Sequence, residues 1–573
     1  MSIVWSRPRT VTSLAATAAL ALTVAGCGSS APPASESPSA QADSATAQCE
    51  QLAADQADVS ADANASDTFV FAASADPTAL NPFYVSDGES FRISRQIFEG
   101  LVGVKPCSAD PAPALASEFS ADPDGKTFHF TLQQGVKFTD GTAFDAKAAC
   151  ANFEWMNNQP PGPAQSADTS YYWLTLMHGF GDKSIYDSCT AEGTDKLTVK
   201  LNQPYAGFLA ALSLPSFAMQ SPTALAKYND LGKGDDPTTS QYSIKHPTGT
   251  GPYMFKSWER GNQVQLVANP DYWDTANAPL TPNVTIKLIE DPAARATALV
   301  NGDIDGFDLV APSDMSKLQD AKMAIVNRPA FNILYLGFNQ AVKPLDDIKV
   351  RQAIAYALDK QAIANNSLPE GTAPALEFMP SSVNGYTPDV TQYPYDPEKA
   401  KALLKEAGAD GMTLEFNYPT DVSRPYMPSP VDTYNVIAQQ LEAVGIKEKP
   451  AADSWTDYLD RIAGTTDHGI HLLGWTGDYN DPDNFLGVFF GQRTKEWGFT
   501  NQKLFDELTA ARAIPSVDQQ KPVYEKINQE AMDFLPGVPL ASPVPSLAFS
   551  PGVQGFVPSP VQDEPWNHIV VTG

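Results

Sequence analysis

The sequence predicts an α/β protein with more than one compact lobe. At 573 residues, the chain is much longer than the roughly 250 to 300 residues at which one hydrophobic core stops growing, so two lobes are the simplest expectation. Short runs with apolar residues at every second position predict strands, and apolar residues spaced three and four apart predict helices. Because both patterns recur, we expect mixed α and β structure that binds ligands at loops in a cleft.

The predicted strands share a period-two alternation of apolar and polar side chains. They lie at 126–132, 197–201, 264–266 and 284–288.

The clearest helix starts at a capping residue. Asp396 precedes Pro397 at the first helical position, and Gly408 follows KAKALLKEA at the predicted end. Apolar spacings of three and four also predict helices at 349–360 and 434–444.

Residues 1–26 have the layout of a secretory signal peptide. Arg7 and Arg9 precede an apolar run that is shorter than the about 20 residues needed to span a membrane. Leu22–Cys27 resembles the bacterial lipobox, which implies that Cys27 is lipidated and holds the protein at the outer face of the cell membrane. An ordinary secretory signal that is cleaved elsewhere is the alternative. No later segment is predicted to span a membrane.

Residues 27–67 consist largely of Ala, Ser, Pro, Asp and Gln. A segment of this composition buries too little apolar surface to offset its ordering entropy. We therefore predict a flexible tether between the membrane and the folded body.

Besides Cys27, the chain contains Cys49, Cys107, Cys150 and Cys189. An even number of cysteines in an oxidising compartment predicts disulfides, and four cysteines allow three pairings. We favour Cys150 with Cys189 and Cys49 with Cys107. No CxxC or His-spaced pair occurs among them, so we expect no metal site.

The chain has 67 acidic and 38 basic residues, a net charge of −29. Phosphate binding requires clustered Lys and Arg, so nucleic acid is not an expected partner. An excess of acid favours solubility and can attract cationic groups, but it fixes neither the fold nor the substrate.

The most unusual stretch is GWTGDYNDPDNF, Gly474–Phe485, which places three Asp among aromatic residues without any Lys or Arg. A bound cationic group would explain this charge. A calcium loop is not favoured, because its sixth and twelfth places require Gly and Glu and hold Asp483 and Phe489 here. We expect the nearby His468 and His471 to be strand or loop residues, with capture of nickel or haem as the alternative.

Five longer stretches resemble one protein family from about Thr68 to the carboxyl end. In chain order they are ADPTALNPF, PALASEFSADPDGKTFHFTLQQGVKFTDGTAFDA, PTGTGPYMF, PLDDIKVRQAIAYALDKQAI and YDPEKAKALLKEAG. They resemble the solute-binding proteins of peptide-importing ABC transporters, which include dipeptide-, oligopeptide- and nickel-binding branches. An ordered match along most of the chain is more specific than any single motif.

The resemblance implies a two-lobed, periplasmic-binding-protein-like clamp of type II, the large peptide-binding class, with mixed β-sheets. On the family pattern, lobe I comprises 68–328 and 546–573, and lobe II comprises 329–545. The ligand is then enclosed between the lobes, which close by a hinge motion.

Two stretches resemble the dipeptide-binding branch most: SRPYMPSP, and SWTDYL followed by the acidic stretch. On this resemblance, Arg424 binds the carboxylate of the peptide and Asp478 binds its ammonium group. Trp455 and Trp475 fall on aromatic residues at the cleft. Tyr479 departs from the Asn of the dipeptide branch and resembles the oligopeptide branch, so we expect it to reshape the pocket.

These roles agree with the chemistry of short peptides, which share a cationic and an anionic end whatever their side chains. A planar guanidinium pairs with a carboxylate through two parallel hydrogen bonds, and a carboxylate binds an ammonium group. Three structural alternatives stay open: Arg424 in an ion pair, Asp478 as a turn cap, and Trp455 in lobe packing.

The sequence therefore predicts a monomeric, lipid-anchored, non-enzymatic receptor that captures peptides of two to five residues for an ABC permease, without cofactor or metal. A haem- or nickel-chelate-binding receptor on the same fold is the alternative. A secreted hydrolase is remote, since no GxSxG, HExxH, Walker or GxGxxG context is present. Peptide length, side-chain preference and the identity of the permease stay open.

Overall fold

The computed structural model describes residues 38–60 and 64–572. The signal peptide, Cys27 and residues 28–37 of the expected tether lie outside the described residues. The α-helices of the described part are α1 (Pro38–Gln56), α2 (Gly88–Ile97), α3 (Ala146–Asn157), α4 (Tyr171–Leu176), α5 (Phe208–Ala211), α6 (Pro222–Tyr228), α7 (Gln241–Lys245), α8 (Pro292–Asn301), α9 (Met315–Asp320), α10 (Ile348–Ala357), α11 (Lys360–Ser367), α12 (Pro397–Glu406), α13 (Pro430–Ala443), α14 (Trp455–Gly464), α15 (Leu486–Phe490), α16 (Gln502–Arg512) and α17 (Val517–Phe534).

The strands alternate with these helices along much of the chain. They are β1 (Thr68–Ala73), β2 (Val102–Val104), β3 (Pro111–Pro113), β4 (Ala116–Ala121), β5 (Thr127–Leu132), β6 (Tyr186–Glu192), β7 (Lys196–Leu201), β8 (Tyr253–Glu259), β9 (Gln263–Ala268), β10 (Asn283–Leu288), β11 (Gly306–Phe307), β12 (Ala324–Asn327), β13 (Asn332–Phe338), β14 (Ala373–Pro374), β15 (Thr413–Pro419), β16 (Lys447–Asp453), β17 (Ile470–Thr476), β18 (Gly537–Ser542), β19 (Ser546–Phe549), β20 (Val553–Gln554) and β21 (Val570–Val571).

Two large sheets organise the described chain. The first sheet has the order β12-β19-β11-β1-β10-β9-β8, and the second has the order β14-β18-β13-β17-β15-β16. Both are mixed: β1 is parallel to β10 and β11, and β15 is parallel to β16 and β17, whereas β13 is antiparallel to β17 and β18. The predicted α/β class with mixed sheets is confirmed.

The chain passes between the two sheets twice, from β12 to β13 and from β18 to β19. The two passages lie side by side, because the backbone N–H of Arg328 donates to the carbonyl oxygen of Pro545 at 2.8 Å. The exact lobe boundaries stay a prediction, since a change of sheet is not by itself a domain boundary.

A buried ionic network lies next to these passages. The Arg328 guanidinium donates to both carboxylate oxygens of Glu564, at 2.6 and 2.8 Å, and to Asp308 at 2.7 Å. Arg92 of α2 donates to the other oxygen of Asp308 at 2.7 Å and to Glu89 at 2.9 Å. Burial alone would raise the pKa of Asp308, but the two guanidinium groups outweigh it and hold this pKa at about 2.

The helix that was predicted from its capping residue forms as expected. Asp396 accepts a hydrogen bond from the backbone N–H of Lys399 at 2.9 Å and begins α12. Gly408 follows the helix in the left-handed conformation, with φ of 66°. The predicted helix at 349–360 forms as α10 but ends at Ala357, and Asp359 caps the start of the next helix, α11.

The prediction of a flexible tether is wrong for Pro38–Gln56, which form α1. The segment is rich in Ala, the strongest helix former, so its lack of large apolar residues does not prevent helix formation. The helix is also anchored, since Cys49 is buried and bonded to Cys107 and Leu52 packs against the core of the first sheet.

Helix α1 contacts an edge of each large sheet. The Gln48 side chain donates to the carbonyl oxygen of Ile325 at 3.3 Å and accepts from the N–H of Asn327 at 2.9 Å, both in edge strand β12 of the first sheet. The helix also lies beside β14, the edge strand of the second sheet. No helix among the described residues has the length and apolar character of a membrane span.

Both disulfides that we favour from the sequence form. Cys49 bonds to Cys107, and Cys150 of α3 bonds to Cys189 of β6. The second bond closes a loop of 39 residues between a helix and the edge of the four-stranded sheet β4-β5-β7-β6.

We expect the double substitution Cys150→Ala and Cys189→Ala to lower the free energy of unfolding by about 2 to 4 kcal/mol, because the unfolded chain regains loop entropy. Urea unfolding with both proteins under non-reducing conditions measures the change. A midpoint equal to that of the wild type would contradict this expectation.

Candidate ligand-binding site

A cavity of about 660 Å³ is lined by residues from both the first and the second half of the chain. Its volume falls within the range of about 300 to 1,000 Å³ that is typical of small-molecule sites. Four of the five residues proposed from the sequence line it: Arg424, Trp455, Trp475 and Asp478. The structure therefore brings together residues that are far apart in the chain.

Asp478 follows β17 and meets a residue from the first half of the chain. Its carboxylate accepts from the Tyr172 hydroxyl at 2.8 Å and from the Asn484 amide at 3.1 Å. Burial raises the pKa of Asp478 to about 6, although these two hydrogen bonds and the charge of Arg95 favour the ionised form. The protein's own groups thus compensate this carboxylate incompletely.

Asn484 fixes the backbone around this carboxylate. Its side-chain oxygen accepts from the backbone N–H of Asp478 at 2.8 Å and from the indole N–H of Trp475 at 3.4 Å. It lies in the short 3-10 helix Pro482–Asn484, which Asp481 caps through the N–H of Asp483. This turn therefore orients Asp478 and Trp475 together.

The other two acids of this stretch have structural partners. Asp483 pairs with Arg512, with Nε and Oδ2 2.8 Å apart. Asp481 caps the 3-10 helix, and burial raises its pKa to about 7. Neither lines the cavity, so one of the three acids is available to a ligand there.

Arg424 and Trp455 form a stacked pair on the wall of the cavity. The guanidinium carbon of Arg424 lies 4.5 Å from the centre of the Trp455 ring, a distance at which a cation is attracted to the ring face. Trp455 begins α14, and its backbone N–H donates to the carboxylate of Asp421 at 2.7 Å. The pair is half-buried and faces the cavity.

Gly474 makes room for this arrangement. A Cβ atom there would come within 2.4 Å of the Tyr426 ring, so a side chain would displace the segment that carries Arg424. The glycine of the sequence stretch is thus explained by the close approach of the two segments.

Tyr479 is the exception among the proposed residues. Its ring is 1% exposed and packs in the core formed by 79–219, and its hydroxyl accepts from the Tyr205 hydroxyl at 3.3 Å. It does not line the cavity. The expectation that Tyr479 reshapes the pocket by contact is corrected: its side chain packs in that core, outside the cavity lining, and joins the two halves of the chain.

His471 lies in β17 and His468 in the loop just before it, as expected for strand or loop residues. Both are buried, and neither lines the cavity. Burial lowers the pKa of His468 to about 4, and His471 Nε2 lies 3.2 Å from the carboxylate of Glu496. No group of three or more His, Cys, Asp or Glu that could hold a metal ion occurs within 38–60 and 64–572.

The cavity includes polar residues that no sequence motif pointed to. Tyr172 lies 306 positions from its partner Asp478. Glu496 also lines the cavity and accepts from the Tyr335 hydroxyl at 2.7 Å. Their roles depend on contacts between distant parts of the chain, so only the fold could reveal them.

The comparison with known proteins now identifies the family. The description "Bacterial extracellular solute-binding proteins, family 5 Middle" matches residues 110–497, more than half of the chain. The chain belongs to this family. The resemblance seen in the sequence is thereby confirmed.

The alignments with two relatives cover nearly the whole length of this solute-binding protein. Heme-binding protein A of Haemophilus influenzae is 29% identical over 531 residues, covering 90% of this chain and 94% of that protein. The dipeptide-binding protein of Escherichia coli is 29% identical over 523 residues, covering 88% and 94%. The predicted likeness to the dipeptide-binding branch is in agreement with the second match.

A solved structure has a fold similar to that of this solute-binding protein. HbpA2 from Haemophilus parasuis superposes with a TM-score of 0.72 at 27% identity, covering 88% of this chain and 99% of that one. The predicted two-lobed fold class is confirmed.

We expect Asp478→Asn to stabilise the unliganded solute-binding protein. The pKa of Asp478 is about 6 in the folded protein, whereas an unperturbed Asp has a pKa of 3.8. The unfolded chain therefore loses this proton first, and the wild-type free energy of unfolding falls as pH rises through that interval. At about pH 7.5 the variant should gain about 1 to 3 kcal/mol, and at about pH 3.5 almost nothing.

Urea unfolding of both proteins at the two pH values measures this gain. The exposed Asp230 provides the matched control, since Asp230→Asn should change stability at neither pH. A variant that is less stable than the wild type at neutral pH would show that Asp478 acts as a structural cap.

Proposed function

We propose that this solute-binding protein captures short peptides between its lobes by binding their charged ends, and delivers them to an ABC permease. Asp478 binds the ammonium group and Arg424 binds the carboxylate. The likeness to the dipeptide-binding protein of Escherichia coli supports peptides as the ligand class, and the cavity supports the site.

One observation carries the proposal. Asp478 and Arg424 line the same cavity, and among the described residues neither has an oppositely charged side chain within 4 Å. By contrast, Arg92, Glu89 and Asp308 also line the cavity but are paired in the buried network. A half-buried charge without a partner is costly, and a zwitterion supplies both missing partners at once.

The two charges lie near different ends of strand β17. Asp478 lies beyond its carboxyl end and contacts Tyr172. Arg424 lies over Trp455, whose stacked neighbour Tyr458 donates to the carbonyl oxygen of Leu472 near the start of this strand. A zwitterion that spans these ends would hold its backbone against the aromatic side chains between them. The distance between its charged groups would then select peptide length.

The supporting contacts give the site its orientation. Asn484 and Tyr172 hold Asp478, and the Trp455 ring holds the Arg424 guanidinium over its face, where two parallel hydrogen bonds to a carboxylate would bind a peptide end. Tyr172 precedes the first passage between the sheets, and Asp478 follows it. The proposed site for the ammonium group of the peptide therefore includes residues of both predicted lobes. Ligand binding therefore favours the closed form, which the permease would recognise.

We also propose that Cys27 is lipidated and holds the protein at the outer face of the membrane. The lipobox-like segment supports this location, and capture close to the permease would raise the local ligand concentration there. Mass spectrometry of the protein purified from membranes tests it, since a diacylglyceryl group on Cys27 is expected and an unmodified amino terminus elsewhere would refute it.

Haem is the second candidate ligand, because Heme-binding protein A of Haemophilus influenzae aligns over 90% of the chain. The buried His468 and His471 do not line the cavity, so these residues offer no axial ligand there. Titration with haem, followed by the Soret band and by competition with a peptide, tests this candidate.

Calorimetry with a mixture of di- to pentapeptides is expected to show that Arg424→Ala and Asp478→Asn each weaken binding by about 30- to 4,000-fold. Truncating one partner of a buried charge pair costs about 2 to 5 kcal/mol. Acetylation of the peptide amine or amidation of its carboxyl group should abolish binding to the wild type.

Two variants outside the cavity serve as matched controls. Arg260 stacks on Trp258 at 4.2 Å, so Arg260→Ala removes a similar cation–ring contact. Asp481→Asn neutralises a buried acid in the same loop as Asp478. Arg260→Ala should bind like the wild type, whereas Asp481→Asn reports only on the turn that Asp481 caps. Equal binding of blocked and free peptides would refute the proposal.

Peptide affinity is expected to fall as pH drops below about 6. The ammonium group favours ionised Asp478, whose pKa is about 6 in the free protein, so binding is fully developed above this pH and must first remove a proton below it. Affinity at about pH 5 should be about ten-fold weaker than at about pH 7.5. Calorimetry at both pH values measures the ratio, and a constant affinity would contradict the role of Asp478.

A further inference from the structure

One further carboxylate of the cavity, that of Glu496, is held in place but keeps one free oxygen. Glu496 lines the cavity, and its side chain is 17% exposed. Its Oε1 accepts from the Tyr335 hydroxyl at 2.7 Å and lies 3.2 Å from Nε2 of His471. No hydrogen bond or ion pair to Oε2 occurs within the described parts of the chain.

The groups that hold Glu496 are themselves fixed. Tyr335 is 2% exposed and His471 is fully buried, on the paired strands β13 and β17. The His471 ring also lies beside Trp497, with ring centres 5.8 Å apart. Because both partners contact the same oxygen, they fix the carboxylate while leaving the other oxygen for a ligand.

Glu496 lies toward the end of the cavity that contains Arg424. Arg424 lies over the Trp455 ring, which stacks on Tyr458. The Tyr458 hydroxyl donates to the carbonyl oxygen of Leu472, which is the neighbour in β17 of the Glu496 partner His471. Asp478, by contrast, lies beyond the other end of this strand, where it contacts Tyr172.

The wall beside Glu496 is apolar. Leu473, Val488 and Phe489 line the cavity together with Tyr335, and the rings of Phe489 and Tyr335 lie 5.3 Å apart. A carboxylate at the edge of an apolar wall suits a side chain with a hydrocarbon stem and a cationic tip, as in Lys or Arg.

We infer that Glu496 selects peptides whose carboxyl-terminal residue has a cationic side chain. With the peptide carboxylate on Arg424, the last side chain lies at the same end as Glu496, and its ammonium or guanidinium group binds Oε2. This inference rests on the proposed function, because the peptide direction follows from the roles of Arg424 and Asp478.

Peptides that differ only in this cationic tip test the inference. Ala-Lys and Ala-Ala-Lys are compared by calorimetry with the same peptides ending in norleucine, whose side chain keeps the stem but lacks the ammonium group. We expect the wild type to bind the Lys peptides roughly 10- to 100-fold more tightly, since a charge-assisted hydrogen bond to a fixed carboxylate favours them. Lys-Ala should show no such gain over norleucine-Ala.

Two variants separate selection from a structural role. Glu496→Gln keeps an oxygen for Tyr335 but removes the charge, so it should lose the preference for Lys while binding the norleucine peptides like the wild type. Tyr335→Phe removes one contact to Oε1 and keeps the carboxylate, so it should retain most of the preference. If both variants weaken all peptides equally, Glu496 is structural and the inference is wrong.

The inference and the proposed function fail in different ways. Equal binding of the Lys and norleucine peptides, with both still requiring free termini, would overturn the selection by Glu496 and leave the peptide site intact. Binding of norleucine peptides that survives blocking of both termini would overturn the proposed function itself.

Discussion

The structure depends on the buried pairing of two arginines with three acids next to the passages between the sheets. Arg328 joins Asp308 and Glu564, and Arg92 joins Asp308 and Glu89. Buried charges are tolerated only when they are paired and hydrogen-bonded, and removing one partner leaves the others uncompensated. The network therefore connects α2, the end of β11, the first passage and the carboxyl-terminal segment, and it fixes one wall of the cavity.

This pairing also determines which charges of the cavity are already satisfied within the protein. The charges of Arg92, Glu89 and Asp308 are satisfied within the protein, so they offer little to a ligand although they line the cavity. Among the described residues that line the cavity, Asp478, Arg424, Asp76 and Asp87 have no oppositely charged side chain within 4 Å. Asp76 and Asp87 accept hydrogen bonds from neighbours within the first half of the chain, whereas Asp478 and Arg424 are the charges that the proposal assigns to a ligand.

Local chemistry was predictable from the sequence, and distant contacts were not. The start of α12 depends on Asp396 and its immediate neighbours, and the family motifs located Arg424 and Asp478 in the chain. Tyr172 and Asp478 are 306 positions apart in the chain, so their contact depends on how its two halves pack together. The place of Tyr479 was not predicted, because side chains of adjacent residues can face opposite directions. Helix α1 was not predicted, because a high Ala content was taken to indicate too little apolar surface for folding, whereas Ala also favours helix formation.

Helix α1 lies against edge strands of both sheets, and the Cys49–Cys107 bond fixes it to the first half of the chain. If the lobes rotate about the passages between them, the side of α1 that faces β14 must slide or separate while the side bonded to β12 stays in place. On such a motion, a contact made to α1 would bear on the equilibrium between the two forms from outside the lining of the cavity.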